Sequence, residues 1–430
     1  MIKLLANQAR VFRTLALFTA AFVLASCGGR DTGFTPLATA YTAVVDAGSS
    51  GSRIYLYQTT PDASFVKVQQ LYTNKDAPHG LSWYDGSQGA DSVAANAGPQ
   101  GIQPLLAGLK GYLSSHDIDT NQVTVNVLAT AGMRLVNAET AAAIYKSVQS
   151  TITQSGLTYD QVGTISGQSE GVYSWADANF LQGNFHTHSP TQGIVEVGGA
   201  SSQIAFATAA SNAPQVLTTK VNGVSYPVFS ISYLGLGQNQ ARLAMLNEGE
   251  AGGTQANVCY PNNTSGAPAA YDAAVGGITL NPVTSSYTAA CYSVFEKVIG
   301  KVSANADNDF AISRVAQQNG YAATRFLGIS AAYFSHKEWG AEASSNPAQT
   351  LQDALGSHCA GSNAWLQVLL QYRNDAGVFT QNGCANSTYV HAYLYSHQAL
   401  GLQPDKLTPV ATVNGSELTW TRGFVVVHGL

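Results

Sequence analysis

With 430 residues the chain is too long for one ordinary domain, so two lobes are the first expectation. Hydrophobic residues make up 45%, enough for a sizeable core, while charged residues make up only 10%, against about 25% in typical domains. The net charge of −5 excludes a surface built to coat nucleic acid, so an anionic ligand would have to be met by local donors and a cation.

Residues 1–26 read as an address. Lys3, Arg10 and Arg13 form a basic head, and residues 15–24 an apolar segment shorter than the roughly 20 residues of a membrane span. Leu24-Ala25-Ser26-Cys27 resembles the lipobox of bacterial lipoproteins. That implies cleavage before Cys27, a lipid anchor on it, and an exported, membrane-held protein, with Gly28 favouring the outer membrane. Residues 27–40 read as a flexible tether.

Val44-Val45 then runs into Asp46, turns through Ala47-Gly48-Ser49-Ser50-Gly51-Ser52 and leaves through Arg53-Ile54-Tyr55-Leu56-Tyr57. This is strand, tight turn, strand. The small turn residues let backbone N–H groups close on an anion, and the serines add hydroxyl donors. Asp46, at the strand end, is placed to hold a metal ion or its water. The hairpin is expected to reach residue 73, and residues 74–101 to be loop-like. A helix follows from residue 102, a strand over 123–128, the block Ala129-Thr130-Ala131-Gly132-Met133-Arg134, and a helix over 138–154. A short strand over 161–166 precedes Ser166-Gly167-Gln168-Ser169-Glu170-Gly171, which opens another helix. Strands alternating with helices give an α/β class.

Ile194-Val195-Glu196-Val197-Gly198-Gly199-Ala200-Ser201-Ser202-Gln203-Ile204 repeats the first hairpin's design about 150 residues on. The repeat implies two lobes, each offering one phosphate-gripping turn to a shared cleft. The first lobe is assigned to 41–165, completed by about 400–430, and the second to 166–399. Residues 232–242 read as a loop feeding a helix, 251–290 as a low-charge excursion, and 324–330 as a buried strand. Residues 418–427 are expected to return to the first lobe. Setting Cys27 aside leaves Cys259, Cys291, Cys359 and Cys384, an even set for an oxidising compartment with three pairings open. Nearest-neighbour pairing would close two short loops, each worth roughly 3 kcal/mol. No Cys-x-x-Cys is present, and His186 and His188 read as solvated loop, so zinc is not expected.

Four blocks in order resemble the nucleoside triphosphate diphosphohydrolases, or apyrases: Asp46 to Arg53, Ala129 to Arg134, Ser166 to Gly171 with Tyr173 and Trp175, and Glu196 to Ile204. A weaker fifth is Trp420-Thr421-Arg422-Gly423. The resemblance implies two ribonuclease-H-like lobes, as in actin and hexokinase, around a central cleft. It implies hydrolysis of terminal phosphates of nucleoside tri- and diphosphates with Mg²⁺ or Ca²⁺. On that pattern Glu170 is the general base and Gln203 orients the water. Asp46 and Glu196 hold water ligands of the cation. Gly48, Ser49, Ser50, Gly51, Thr130, Gly198, Gly199, Ala200, Ser201 and Ser202 grip phosphates. Arg134 fixes its loop, Arg53 reads equally as a surface charge, and Tyr333, Phe334 and Tyr395 are stacking candidates for the base. The family carries Asp where this chain has Glu196. Alternatives are an exopolyphosphatase or guanosine pentaphosphate phosphatase, and a nucleotide-binding lipoprotein without turnover. No oligomer is predicted.

Overall fold

The computed structural model describes residues 39–61, 66–75, 77–210, 213–252, 259–260, 287–304, 310–359, 368–371, 380 and 382–428. The address, Cys27, nearly all of the tether and most of the 251–290 excursion lie outside them. No helix among the described residues is long and apolar enough to cross a membrane.

Strands β1 (Ala40–Ala47), β2 (Ser52–Thr60) and β3 (Lys67–Asn74) form an antiparallel meander. On the other side of β1, β4 (Val123–Ala129) and β5 (Thr158–Thr164) add in parallel, giving the order β3-β2-β1-β4-β5. Helices α1 (Gln103–Ser115) and α3 (Ala138–Gln154) make the crossovers, with the short α2 (Ala131–Arg134) after β4. The chain continues through α4 (Gly167–Leu181) and the short α5 (Asn184–Thr187) into a second sheet.

The second sheet repeats the plan. β6 (Gly193–Val197), β7 (Ser201–Ala207) and β9 (Val224–Leu234) are antiparallel, while β10 (Phe326–Ser330) and β11 (Leu407–Pro409) add in parallel beside β6. β8 (Val216–Val221) extends the far edge, giving β11-β10-β6-β7-β9-β8. Three antiparallel strands followed by two parallel ones, twice, is the two-lobed α/β architecture that the repeated hairpin implied.

The layers follow from strand alternation. Ala43, Val45 and Ala47 of β1 pack outward against Leu105, Leu109 and Val148 of α1 and α3. Val195 and Val197 of β6 pack outward too, against α6 (Gln238–Gly252), α7 (Tyr287–Ser303), α8 (Ala331–Glu338), α9 (Pro347–His358) and α10 (Gly383–Tyr395). The intervening Val44 and Ile194 face inward, where both sheets share one cluster with Val172 and Trp175 of α4 and with Phe424, Val425 and Val426 of α11 (Trp420–His428). Helices α4 and α11 are thus a middle layer between the sheets. They cross so closely that a Cβ on Gly423 would stand 1.8 Å from the Tyr173 carbonyl oxygen. Buried Arg422 pairs with Asp177 of α4 at 3.1 Å and also donates to Gln70 of β3 at 3.1 Å. Thr421 bonds the Tyr57 hydroxyl at 2.7 Å.

Several expectations change. Residues 74–101 hold short 3₁₀ and π turns, and bury Leu81 and Tyr84 completely. Residues 232–234 extend β9, because they pair with Ser201–Gln203 of β7. Residues 407–409 pair with β10 of the second sheet, so the return to the first lobe starts later than 400. Two disulfides, Cys259–Cys291 and Cys359–Cys384, select the nearest-neighbour pairing, and both lie in the second lobe's core.

Candidate active site

The alternation that builds the core also builds the site. Asp46 lies between outward Val45 and Ala47, and Glu196 between outward Val195 and Val197, so both acids face the middle layer. They hold matching places in the two hairpins: Asp46 pairs across to Arg53, and Glu196 to Gln203. Gln203, facing inward beside Glu196, meets Glu170 on the first turn of α4, where Ser166 caps the helix. Its amide donates to Glu170 Oε2 at 3.2 Å, Ser201 Oγ at 2.7 Å and Ser232 Oγ at 2.9 Å.

The turns meet. A Cβ on Gly199 would lie 2.9 Å from Ser49 Oγ, so the second lobe's turn touches the first lobe's only because residue 199 has no side chain. Gly198 N–H closes its turn on the Ser201 carbonyl at 3.0 Å. The carbonyls of Gly198, Gly199 and Ala200 accept from Gln238, Asn239 and Gly235 at 2.8, 3.0 and 2.8 Å. Gly199 and Ala200 line the cleft, and among the described residues neither N–H donates to a backbone carbonyl. The cleft measures about 690 Å³, ample for a nucleotide.

Three acids crowd its floor. Burial pushes the Glu170 carboxyl up to about 8, and Glu196 and Asp46 push the same way against the nearby Arg134. Burial pushes Asp46 up to about 7; Arg53 and a hydrogen bond from the Trp420 side chain oppose it, while Glu196 reinforces it. Glu196 is also raised by burial, with hydroxyls of Ser174 and Ser330 and the Arg53 charge opposing. Desolvated carboxylates, with Glu196 raising both of the others, favour a cation among them. Among the described residues no three acid, histidine or cysteine side chains converge as direct metal ligands. The donor set suits a hard divalent ion held through its own waters.

Of the expected residues, Asp46, Gly48, Ser49, Ser50, Thr130, Glu170, Glu196, Gly198, Gly199, Ala200, Ser201 and Gln203 all line the cleft. So do Tyr333 and Phe334 of α8, whose rings pack edge to face at 5.3 Å. Three do not. Gly51 sits in the turn but is not among the lining residues. Ser202 pairs with outward Val197 and points away, donating to the Tyr393 hydroxyl at 2.7 Å in the second lobe's core. Tyr395 packs behind α8, its hydroxyl 2.9 Å from His336 Nε2. Arg134 fixes its surroundings as expected: it donates to Glu170 Oε2 and, at 3.2 Å, to the Ile165 carbonyl at the β5 exit. Sequence reasoning gave no role to Ser174 or Ser330 and named Trp420 only within the weaker fifth block; Arg53 is exposed, as a surface charge would be, and also lines the cleft. Only the parity of the hairpin, which puts residue 53 on the face of Asp46, could have marked Arg53.

The GDA1/CD39 (nucleoside phosphatase) family model matches residues 35–429. The chain is 32% identical over 248 residues to ectonucleoside triphosphate diphosphohydrolase 3 of Homo sapiens, covering 52% of this chain and 45% of that protein. It is 36% identical over 216 residues to ectonucleoside triphosphate diphosphohydrolase 6 of Mus musculus, covering 48% and 45%. The matched stretch thus spans just under half the length of these relatives. A solved structure of nucleoside triphosphate hydrolases from Neospora caninum shares the fold, with TM-score 0.57 at 16% identity over 90% of this chain and 92% of that one. With the family match running almost from end to end, the chain belongs to the GDA1/CD39 (nucleoside phosphatase) family.

Proposed function

We propose that the protein hydrolyses the terminal phosphates of nucleoside tri- and diphosphates by direct attack of water, with Mg²⁺ or Ca²⁺ in the cleft. The observation that carries this reading is the Gln203 amide on the Glu170 carboxylate, beside the place where the two turns meet. Ser49, Ser50, Thr130 and Ser201, with the N–H groups of Gly199 and Ala200, hold the terminal phosphates between the lobes. Gln203 orients the attacking water and Glu170 takes its proton as the new P–O bond forms. The bond from phosphorus to the bridging oxygen breaks, and the shortened nucleotide leaves with that oxygen. Asp46 and Glu196 would hold the cation's waters; when bound, the cation neutralises charge on the phosphate oxygens. Arg53, whose side chain reaches the cleft from beside Asp46, adds a second positive group there. Tyr333 and Phe334 offer the nucleoside an aromatic face. The sequence around Cys27 supports a lipid anchor on an exported protein.

Phosphate release from ATP, ADP and polyphosphate, with and without chelator, tests the reading. Release from both nucleotides that stops with chelator is expected. Polyphosphate as the best substrate would favour an exopolyphosphatase, nucleotide binding without release would favour a binding protein, and release that survives chelator would remove the cation.

A further inference from the structure

Asp46 and Glu196 hold matching places in the two hairpins, and Glu196 is one methylene longer. A longer side chain has an extra torsion to fix, and an acid left to swing would hold a hydrated cation poorly. In this structure Glu196 is not left to swing. Ser174 Oγ donates to Oε2 at 2.9 Å and Ser330 Oγ donates to Oε1 at 3.3 Å, so each carboxylate oxygen has its own hydroxyl.

The two serines come from different elements. Ser174 lies on α4 one turn beyond Glu170, so both side chains project from the same helix face. Glu170 meets Gln203 and Ser174 meets Glu196, and Gln203 and Glu196 are themselves cross-strand partners. Two helix positions four apart are thus matched to one rung of the hairpin. Ser330 ends β10, pairing with Val197 next to Glu196. Its backbone stands at φ +57°, ψ −128°, a region costly for any residue with a side chain. A strained conformation that aims a hydroxyl at a cleft acid is accounted for if that hydroxyl is needed there.

We propose that Ser174 and Ser330 are positioning residues that fix the carboxylate of Glu196 for the hydrated cation, with Ser174 and the longer acid forming a matched pair. The proposal rests on the cation-holding role of Glu196 given above. A carboxylate has about four acceptor sites, so two hydroxyl donors leave others for the cation's waters.

The test measures affinity for Mg²⁺ and Ca²⁺ alone, by calorimetry on the nucleotide-free protein, in Ser174→Ala, Glu196→Asp and the double variant. Ser174→Ala is expected to weaken cation binding about tenfold or more, the scale of a lost hydrogen bond to a charged group. Glu196→Asp retracts the acid from Ser174 and is expected to weaken it comparably, and the double variant to be no weaker than Glu196→Asp. Ser330→Gly is expected to raise the cation-free melting temperature by relieving strain while weakening cation binding. Additive losses, or Ser174→Ala with unchanged affinity, would overturn the proposal. A crystal structure of Ser174→Ala separates it from the reading beneath it. Glu196 unmoved there overturns the clamp whatever the cation does. Disordered Glu196, in a protein whose wild type binds no cation, upholds the clamp and overturns only the cation-holding role.

Discussion

At Glu170 burial and two neighbouring acids pull the carboxyl one way and Arg134 the other, and burial wins, leaving it at about 8. A general base works only when deprotonated, so in scarce cation turnover should climb as pH rises through that region. Added cation favours the ionised acids and should move the limb to lower pH; a limb fixed near 4.5 at every cation concentration would contradict this. The sign for stability is opposite. A carboxyl raised on folding contributes stability that is complete below its unfolded value of 4.5 and is lost as pH rises through about 8. The cation-free protein should therefore melt at a lower temperature at pH 9 than at pH 6. Glu170→Gln should keep nucleotide binding and lose turnover by a factor on the order of 10² or more, read as kcat against a separately measured Kd. The acids, Thr130 and Gln203 were legible because each sits in a contiguous block whose local shape fixes its direction. Ser202 and Tyr395 were misread for want of facing: Ser202 takes the parity of Val197, and Tyr395 lies under the helix that carries Tyr333. Ser174, Ser330 and Trp420 gain their meaning from elements far away in sequence, which no local pattern encodes.

Among the elements, the crossing of α4 and α11 depends on one missing side chain. Gly423→Ala would drive a methyl into the Tyr173 carbonyl, which backbone cannot yield without separating the helices. The expected loss is about 1–3 kcal/mol in chemical denaturation, the usual scale of overpacking. Unchanged stability would mean that the helices part freely. The hairpins, crossover helices and β10 could be seen from period and turn chemistry. The β-branched run Val425-Val426-Val427 carries no helical signature of its own. It is helical because the slot between the sheets accepts an apolar helix, and Arg422 and Thr421 pin it there.

At the scale of the molecule, the repeated hairpin disclosed the two lobes, but not that they would share an interior. Val44 and Tyr55 of one sheet and Ile194 and Leu327 of the other lie in the same cluster as both middle helices. Calorimetry should accordingly show one unfolding transition, with calorimetric and van't Hoff enthalpies in agreement; two separable transitions would mean that the lobes hold themselves up independently.

That common interior also bears on how such a chain can change over generations. A doubled gene whose halves remain self-sufficient can drop one copy and survive. Here the helix that follows the first half and the helix near the end seal the greasy inner surface of both halves, and each also steadies one acid: Ser174 holds Glu196, and Trp420 bonds Asp46. Each helix steadies the acid of its own half, but deleting either half would strip apolar cover from the other, so neither half is expected to fold alone.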